Sequence, residues 1–460
     1  QSPYASAVAN REYAAPDGPR YIVSKLVGKP PSKSFTKGVE VTHWNGVPIE
    51  RAIESNGNRY AGSNPAARHA RGLDTMTIRP LAVMVPPDEE WVTISYATEQ
   101  GHKKRITIPW LVGSAYSTIV SSLREAHEAN AMLCSGYDNL GRFVQNVKRH
   151  FFASERAIQA EATSRGAQRV RVCPVKGAMP TTFPSHLVAR RVQHAEREFG
   201  YIRIYSFDTD EPEALAREFG KLLRQMPARG VILDVRGNGG GSILAAEYML
   251  QCLARRKIAS QPAEFINTEL VEEICRRHSP SRTIPGLDLS PWYESIQEIK
   301  QTGFVHTLGY PITSPSTLRS FRCKRATKFL LITNALCYSA TDIFAAGFKD
   351  HQLGKILGTH DNTGAGGANV WTHYLLDLLT KDAQERFRFR PLPYNADFTV
   401  AVRRTLRVGP NSGVPVEDLG VKPDFVCGMT RDDPVLDNKD LIATACEILA
   451  RKWSNPVQAP

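Results

Sequence analysis

Ser339 is the first residue whose type and position could do chemistry. It follows an apolar run over 329–333 and directly precedes Ala340, where a predicted helix over 340–349 begins. At a helix start a serine hydroxyl lies near the positive end of the dipole, beside the N–H of Ala340, which suits a nucleophile whose oxyanion needs a donor. Serine also commonly caps helices, so capping is the structural alternative. Cys337 is a second candidate nucleophile, and filling the core is its alternative.

A glycine run forms the second candidate element. Residues 234–242 read DVRGNGGGS and continue a strand predicted over 231–235. Glycines allow several backbone N–H groups to point at one spot and let a ligand approach closely. No Lys-Ser/Thr pair follows, so the run is neither a Walker loop nor a dinucleotide fingerprint. It predicts a phosphate site or an oxyanion hole, with a plain tight turn as the alternative.

The third element is a pair of acids, Glu417 and Asp418, in the segment GVPVEDLGVKPD over 413–424. Glu417 follows a short extended stretch and precedes a glycine turn. Acids in a loop are normally solvated, and that is the alternative to a role in catalysis.

Strands and helices alternate around these elements, which predicts an α/β layer architecture for the second half of the chain. The predicted strands cover 200–205, 231–235, 329–333 and 398–403, and the predicted helices cover 211–226, 243–254, 340–349 and 439–452.

The first half of the chain divides differently. Residues 1–19 are small and polar and predict a poorly structured arm, whereas 20–112 predicts a β-rich module that includes the turn dipeptide Asn45-Gly46. Residues 113–195 are rich in Ala, Arg and Glu, with predicted helices over 116–127 and 152–162, and read as a connecting or inserted segment. The catalytic domain is predicted over 196–456.

Composition excludes several classes of protein. The 460 residues are 42% hydrophobic, which is ample for a core, and the formal net charge is +12. The basic residues are scattered and no basic stripe carries regular aromatics, which argues against nucleic-acid binding. No run of about 18 apolar residues predicts a membrane span. The 8 Cys contain no CxxC pair, so neither a zinc site nor a disulfide scaffold is predicted.

Together the three elements resemble the tail-specific, C-terminal-processing serine proteases over about 200–430. The motif D-x-R-x-N-x-G-G is matched by residues 234–241, with Gly239 where the family usually has Pro, and the nucleophile motif is matched by Asn334, Ser339, Ala340 and Asp342. The resemblance implies an α/β fold with a ClpP/crotonase-like ββα core. The module at 20–112 resembles a divergent PDZ domain, in which Val39 replaces the usual Asp.

One departure from the common pattern selects a branch of the family. The loop 364–367 reads GAGG and lacks the base lysine of the Ser–Lys members. Lys349 cannot replace it, because ten helical residues place it ~15 Å along the helix from Ser339. The chain instead resembles the chlamydial protease-like activity factor branch, which uses a Ser–His–Glu triad. The resemblance implies Ser339 as nucleophile and Glu417 as the residue that orients the histidine.

The same resemblance implies an oxyanion hole made by Gly240, Gly241 and Ala340, with no metal or organic cofactor. The histidine is expected in a segment upstream of Gln1, with His360 as the alternative within the chain; His43, His351 and His373 have no supporting pattern. The implied partner is a protein or peptide substrate, and a homodimer and export from the cell are compatible with the family.

Three hypotheses remain open at this stage. The first two are the protease and a non-catalytic ligand- or peptide-binding protein on the same scaffold, as in retinoid-binding relatives. The third is an acyl-CoA enzyme of the crotonase type, although no basic loop offers a site for the CoA phosphates. From its position alone, segment 113–195 is a candidate for occluding the site before processing.

Overall fold

The structure is a computed structural model. It describes residues 7–16, 18–27, 30–60, 62–79, 85–111, 135–137, 144, 155–164, 170–279, 288–313, 315–318, 321, 327–367, 369–381, 383–393 and 398–451. The strands are β1 (Ala7–Ala15), β2 (Gly18–Val27), β3 (Glu40–Trp44), β4 (Val47–Pro48), β5 (Trp91–Ala97), β6 (Lys103–Pro109), β7 (Ser135–Tyr137), β8 (Leu187–His194), β9 (Arg197–Ile204), β10 (Val231–Asp234), β11 (Gly240–Ser242), β12 (Pro262–Phe265), β13 (Tyr310–Pro311), β14 (Phe329–Thr333), β15 (Gly354–Gly358), β16 (Asn369–Thr372), β17 (Thr399–Thr405) and β18 (Phe425–Val426).

The described helices are α1 (Ile49–Gly57), α2 (Pro65–Thr75), α3 (Glu155–Ser164), α4 (Pro212–Arg224), α5 (Ile243–Leu253), α6 (Glu269–Arg277), α7 (Ser290–Ile299), α8 (Pro315–Leu318), α9 (Ala340–Asp350), α10 (His373–Thr380) and α11 (Lys439–Ala450). The predicted helix over 116–127 lies outside the described residues, and the one over 152–162 corresponds to α3. None of the described helices combines the length and apolar character that crossing a bilayer requires.

The N-terminal module is an antiparallel sheet in the order β1-β2-β3-β5-β6, with β4 paired to β3. Its core is built from alternate apolar side chains, such as Val41, Ile94 and Tyr96, packed with Ile53 of α1. This architecture confirms the prediction of a β-rich, PDZ-like module at the N-terminal end.

The prediction of a poorly structured arm over 1–19 is wrong for its second half. Residues 7–15 form β1, which pairs antiparallel with β2 from Ala7 opposite Val27 to Ala15 opposite Gly18. Small and polar residues carry little strand signal of their own, so β1 depends on its hairpin with β2. The Glu12 side chain also lies 3.4 Å from the His69 ring of α2.

The central sheet has the order β18-β15-β14-β10-β9-β8, in which only β8 is antiparallel to its neighbour. Strands β10 and β14 are buried along their whole length, as parallel strands covered on both faces are. Helices α4, α5 and α9 pack on one face, and α11 packs on the other. The mixed α/β fold predicted from the sequence is confirmed.

One strand of the central sheet departs from the predicted organisation. Strand β8 lies within 113–195, the segment predicted to connect or to be inserted, and yet it pairs with β9 along its full length. The turn between them is only two residues long, Ala195 and Glu196, both with positive φ. A tight turn of this kind ties the two strands into one hairpin, so the core sheet begins before residue 196.

Two smaller sheets complete the fold. Strand β11, which is the glycine run, pairs with β7, and a four-stranded sheet has the order β13-β12-β17-β16. The second of these sheets packs with α6, α7 and α10 around Phe265, Trp292 and Trp371. The chain reaches Glu417 after the end of β17 at Thr405 and a short 3₁₀ helix at Gly409–Asn411.

Candidate active site

Ser339 occupies the cap position of α9 but does not cap it. Its backbone has φ 56°, an unfavourable region for a residue with a Cβ, and its side chain makes no capping hydrogen bond. The residue is 4% exposed, and Oγ has no hydrogen-bond partner among the described residues. Strain and an unpartnered buried hydroxyl are costs that ordinary capping does not explain, and they are typical of functional sites.

Cys337 does not fit the role of nucleophile. Its Sγ donates to the carbonyl of Val235 at 3.2 Å, and burial raises the pKa of the thiol to about 12. The thiolate is the reactive form of cysteine, so Cys337 is inert at neutral pH and fills the core at the end of β14.

The glycine run and the turn 334–339, called the nucleophile turn for its predicted role, lie side by side. The reason is that β10 and β14 are neighbouring parallel strands, with Asp234 opposite Ile332. The Tyr338 N–H donates to the carbonyl of Asn238 at 3.2 Å. The side chain of Asn334 accepts from the Gly237 N–H at 2.8 Å. Two of the predicted segments are therefore hydrogen-bonded to each other.

Asp234 and Arg236 of the glycine motif are structural residues. Asp234 is fully buried, where it pairs with Arg236 at 2.8 Å, with Arg203, and with the Tyr201 hydroxyl at 2.8 Å. Burial alone would raise the pKa of Asp234, but Arg203 and Arg236 hold it well below its usual range. The pair thus fixes the end of β10 directly before the glycines.

The three predicted oxyanion donors differ in their hydrogen bonds. The Gly240 N–H donates to Oδ1 of Asn238 at 2.9 Å. Gly241 has φ 130°, and a Cβ there would lie 2.2 Å from the Asp208 nitrogen, so the position requires glycine. The N–H of Ala340, the first residue of α9, has no acceptor in the part of the chain that the structure describes.

Strand β7 runs along the glycine run. It pairs antiparallel with β11, with Tyr137 opposite Gly240 and Ser135 opposite Ser242. Part of the 113–195 segment therefore lies at the glycine edge of the candidate site.

The loop 363–367 joins Ser339 to the acidic segment 413–424. The Gly366 carbonyl accepts from the Ser339 N–H at 3.0 Å, and the Ala365 carbonyl accepts from the Asp418 N–H at 3.0 Å. A Cβ on Gly366 would lie 2.5 Å from the Tyr338 ring, so the close packing of this loop requires glycine. The third predicted segment is thus connected to the first through this loop.

Glu417 is half-buried in the turn that follows β17, and its backbone nitrogen lies against Gly367. It also lines a cavity of about 370 Å³, together with His306, Arg403 and Leu419 among others. The acid therefore lies beside a space open to a ligand.

None of the described histidines is hydrogen-bonded to Ser339, because Oγ has no partner among the described residues. His360 is half-buried, and desolvation, with smaller contributions from His69 and Arg236, lowers its pKa to about 4. His43, His351 and His373 contact Thr42, the Ala259 carbonyl and the rings of Phe389 and Phe398, respectively. His127 and His150 lie outside the described residues.

Sequence reasoning missed two groups of residues at the site. The N-terminal module reaches the loop 363–367 through Asn64, whose side chain donates to the Thr363 carbonyl at 3.0 Å, and Arg71 lies 4.4 Å from the centroid of the Tyr338 ring. Asp342 accepts from the Gly366 N–H at 3.0 Å. Asp342 was visible as a motif position, but only the folded loop gives it a partner.

The described residues contain no group of three or more His, Cys, Asp or Glu side chains in an arrangement that could hold a metal ion.

The family of the domain follows from comparison with known proteins. Residues 198–426 match the model described as Peptidase family S41. The chain therefore contains a peptidase family S41 domain, which makes it a serine-type peptidase and confirms the predicted relation to the tail-specific proteases. No curated protein matches the chain.

Solved structures similar to the chain include those of CPAF. A CPAF mutant has a TM-score of 0.63 at 14% identity, over 98% of this chain and 84% of that one. Mature CPAF complexed with lactacystin has a TM-score of 0.59 at 15% identity, over 96% of this chain and 84% of that one. At these identities the likeness concerns the fold.

Proposed function

We propose that the chain is an endopeptidase that hydrolyses peptide bonds through a Ser–His–Glu triad, with Ser339 as nucleophile. In this proposal Glu417 orients a histidine supplied by a segment outside the described residues. The observation that carries the proposal is the strained, buried and unpartnered hydroxyl of Ser339 at the start of α9.

The mechanism follows from triad chemistry. The histidine takes the Ser339 proton as Oγ attacks the peptide carbonyl, and later gives it to the leaving amine. The oxyanion is held by the N–H groups of Ala340 and Gly241, since the Gly240 N–H already donates to Asn238. One such donor contributes about 3 kcal/mol of transition-state stabilisation. Glu417 keeps the imidazole in the productive tautomer.

Two features of the structure support this arrangement. The Ala340 N–H is at the positive end of α9 and without an acceptor in the described part of the chain, as a donor reserved for a transient oxyanion should be. The cavity beside Glu417 provides room next to the carboxylate for an imidazole or a substrate side chain.

The test is turnover of casein and labelling by a fluorophosphonate probe, measured on the full-length protein and on Ser339→Ala. We expect the variant to lose both while its melting temperature does not fall, because no cap is lost. The matched control is Thr268→Ala, which removes a genuine cap of α6 and should cost about 1 kcal/mol of stability without affecting turnover.

Retained turnover by Ser339→Ala would exclude Ser339 as the nucleophile. If the wild-type protein neither turns over casein nor reacts with the probe, the non-catalytic binding protein on the same scaffold is the correct hypothesis.

A further inference from the structure

Asp342 is a buried carboxylate of the nucleophile helix that the triad does not use. It is the third residue of α9 and has no exposed surface. Its Oδ2 accepts from the Gly366 N–H at 3.0 Å, and the Gly366 carbonyl in turn accepts from the Ser339 N–H at 3.0 Å. Both peptide groups that flank Gly366 are thus bonded to the start of α9, one through the Asp342 side chain and the other through the backbone of Ser339.

The same loop also holds the acidic segment. Ala365 and Thr363 accept from the N–H groups of Asp418 and Val421, at 3.0 and 2.9 Å respectively. A displacement of the loop therefore moves Ser339 and Glu417 relative to each other. Since a misplacement of about 1 Å can cost ~100-fold in rate, the position of this loop matters for catalysis.

We propose that Asp342 is a positioning residue that fixes the nucleophile turn and the Glu417 segment in one arrangement through the loop 363–367. The inference rests on the proposed function and deepens it, because it says what sets the geometry of the triad. The carboxylate touches neither substrate nor reacting atoms, so its effect is exerted through Gly366.

The ionisation of Asp342 provides a measurement, the pH dependence of turnover, that a residue acting by packing alone would not change. Burial raises its pKa to about 7, against hydrogen bonds from Thr363, Gly366 and Ala365, and the charge of Glu417 raises it further. The other titratable neighbour, Cys337, keeps its proton. An ionised Asp342 raises the pKa of a nearby imidazole, because a negative charge favours the imidazolium.

The experiment compares Asp342→Asn with Asp342→Ala in the full-length protein. Asparagine keeps an oxygen that accepts from Gly366, so we expect kcat/KM within tenfold of wild type. The acid limb of its pH–rate profile should move to lower pH, since the negative charge of Asp342 near the histidine is gone. Alanine removes the acceptor and should lower kcat by ~100-fold with a smaller change in KM.

The matched control is Asp350→Asn at the other end of the same helix. Asp350 is also buried, but it pairs with Arg407 and with Asn411, away from the loop. We expect this variant to lower the melting temperature and to leave the acid limb where it is. The proposal is wrong if Asp342→Ala is as active as the wild-type protein. It is also wrong if Asp342→Asn loses as much activity as Asp342→Ala and its pH–rate profile has the wild-type acid limb.

Amide hydrogen exchange separates this proposal from the proposed function. Asp342→Ala should accelerate exchange in 363–367 and 416–421, whereas Asp342→Asn should not. If the wild-type protein has no turnover, the proposed function fails, and the exchange rates still decide whether Asp342 holds the loop. Equal exchange in wild type and alanine variant would overturn the inference.

Discussion

The two sides of the candidate site are built differently. The nucleophile turn and the Glu417 segment each contain a non-glycine residue with positive φ, Ser339 at 56° and Asp418 at 64°. Ser339 is enclosed by the core, whereas Asp418 is exposed and its neighbour Leu419 is 53% exposed. The same backbone strain is therefore imposed by dense packing on one side and by a few backbone hydrogen bonds on the other.

This difference indicates how the site is stabilised. Segments with few buried contacts open at low free energy, whereas core segments open only with the whole fold. Ser339 is thus fixed by the fold, whereas Glu417 depends on the loop 363–367 that connects it to the core. Variants on the two sides should accordingly separate effects on stability from effects on rate.

The largest effect is expected from Glu417→Gln, on the exposed side. Loss of the charge that orients the histidine should lower kcat by about 10³–10⁴-fold. The melting temperature should change little, because the half-buried side chain faces a cavity. Steady-state kinetics and calorimetry check this, with Asp418→Asn as the neighbouring control that keeps near wild-type turnover. A wild-type rate in Glu417→Gln removes it from the triad.

The next effect is expected from Gly366→Ala, on the enclosed side. The new Cβ would lie 2.5 Å from the Tyr338 ring, and overpacking of this kind typically costs about 1–3 kcal/mol. We expect a lower midpoint of chemical denaturation together with reduced turnover. Gly220→Ala in α4, where the nearest atom would be 3.6 Å away, should show neither effect. Full stability of Gly366→Ala would mean that the enclosed side is less rigid than described.

A pH-dependent effect is expected from Glu247→Gln. Glu247 accepts from the Gln261 N–H at 3.2 Å, and the Gln261 side chain donates to the Ile343 carbonyl of α9 at 2.8 Å. Burial raises the pKa of Glu247 to about 7, so the folded state holds this proton more tightly than the unfolded chain. Wild-type stability therefore falls as pH rises from about 4.5 to about 7.

Glutamine is neutral throughout this range, so the melting temperature of Glu247→Gln relative to wild type should increase between pH 5 and pH 8. Thermal melts at several pH values check this. A difference that does not vary with pH would show that Glu247 is already ionised in the folded protein.

The smallest effect is expected from Asp418→Gly. Glycine adopts positive φ without strain but loses more backbone freedom on folding, so the net gain should be less than about 1 kcal/mol. Denaturant titration is the measurement, and turnover should stay within a few-fold of wild type. A loss of stability would show that the Asp418 side chain contributes more than its strained backbone costs.

The central elements were predictable from the sequence because their signals are local. The apolar run at Phe329–Thr333 and the amphipathic start of α9 were placed within a residue or two of their observed bounds. Buried parallel strands are apolar along their length, and neighbouring parallel strands bring their carboxyl ends to one edge. That is why two separated turns could be expected to meet.

The remaining features depend on pairing that the pattern of a single segment does not show. Strands β1 and β8 carry weak patterns of their own, and each is fixed by a hairpin with the strand that follows it. The role of loop 363–367 could not be predicted because its partners Asp342 and Asp418 are remote in sequence. The position of Glu417 is a prediction that the arrangement supports and that kinetics must test.

The unpartnered hydroxyl of Ser339 has a consequence for directed evolution. A buried polar atom without a partner and a strained backbone both lower the stability of the folded state, so alanine removes the first cost and glycine removes both. Selecting variants of this chain for heat resistance alone should therefore enrich substitutions at position 339. The selected variants should be more thermostable and should no longer hydrolyse peptides.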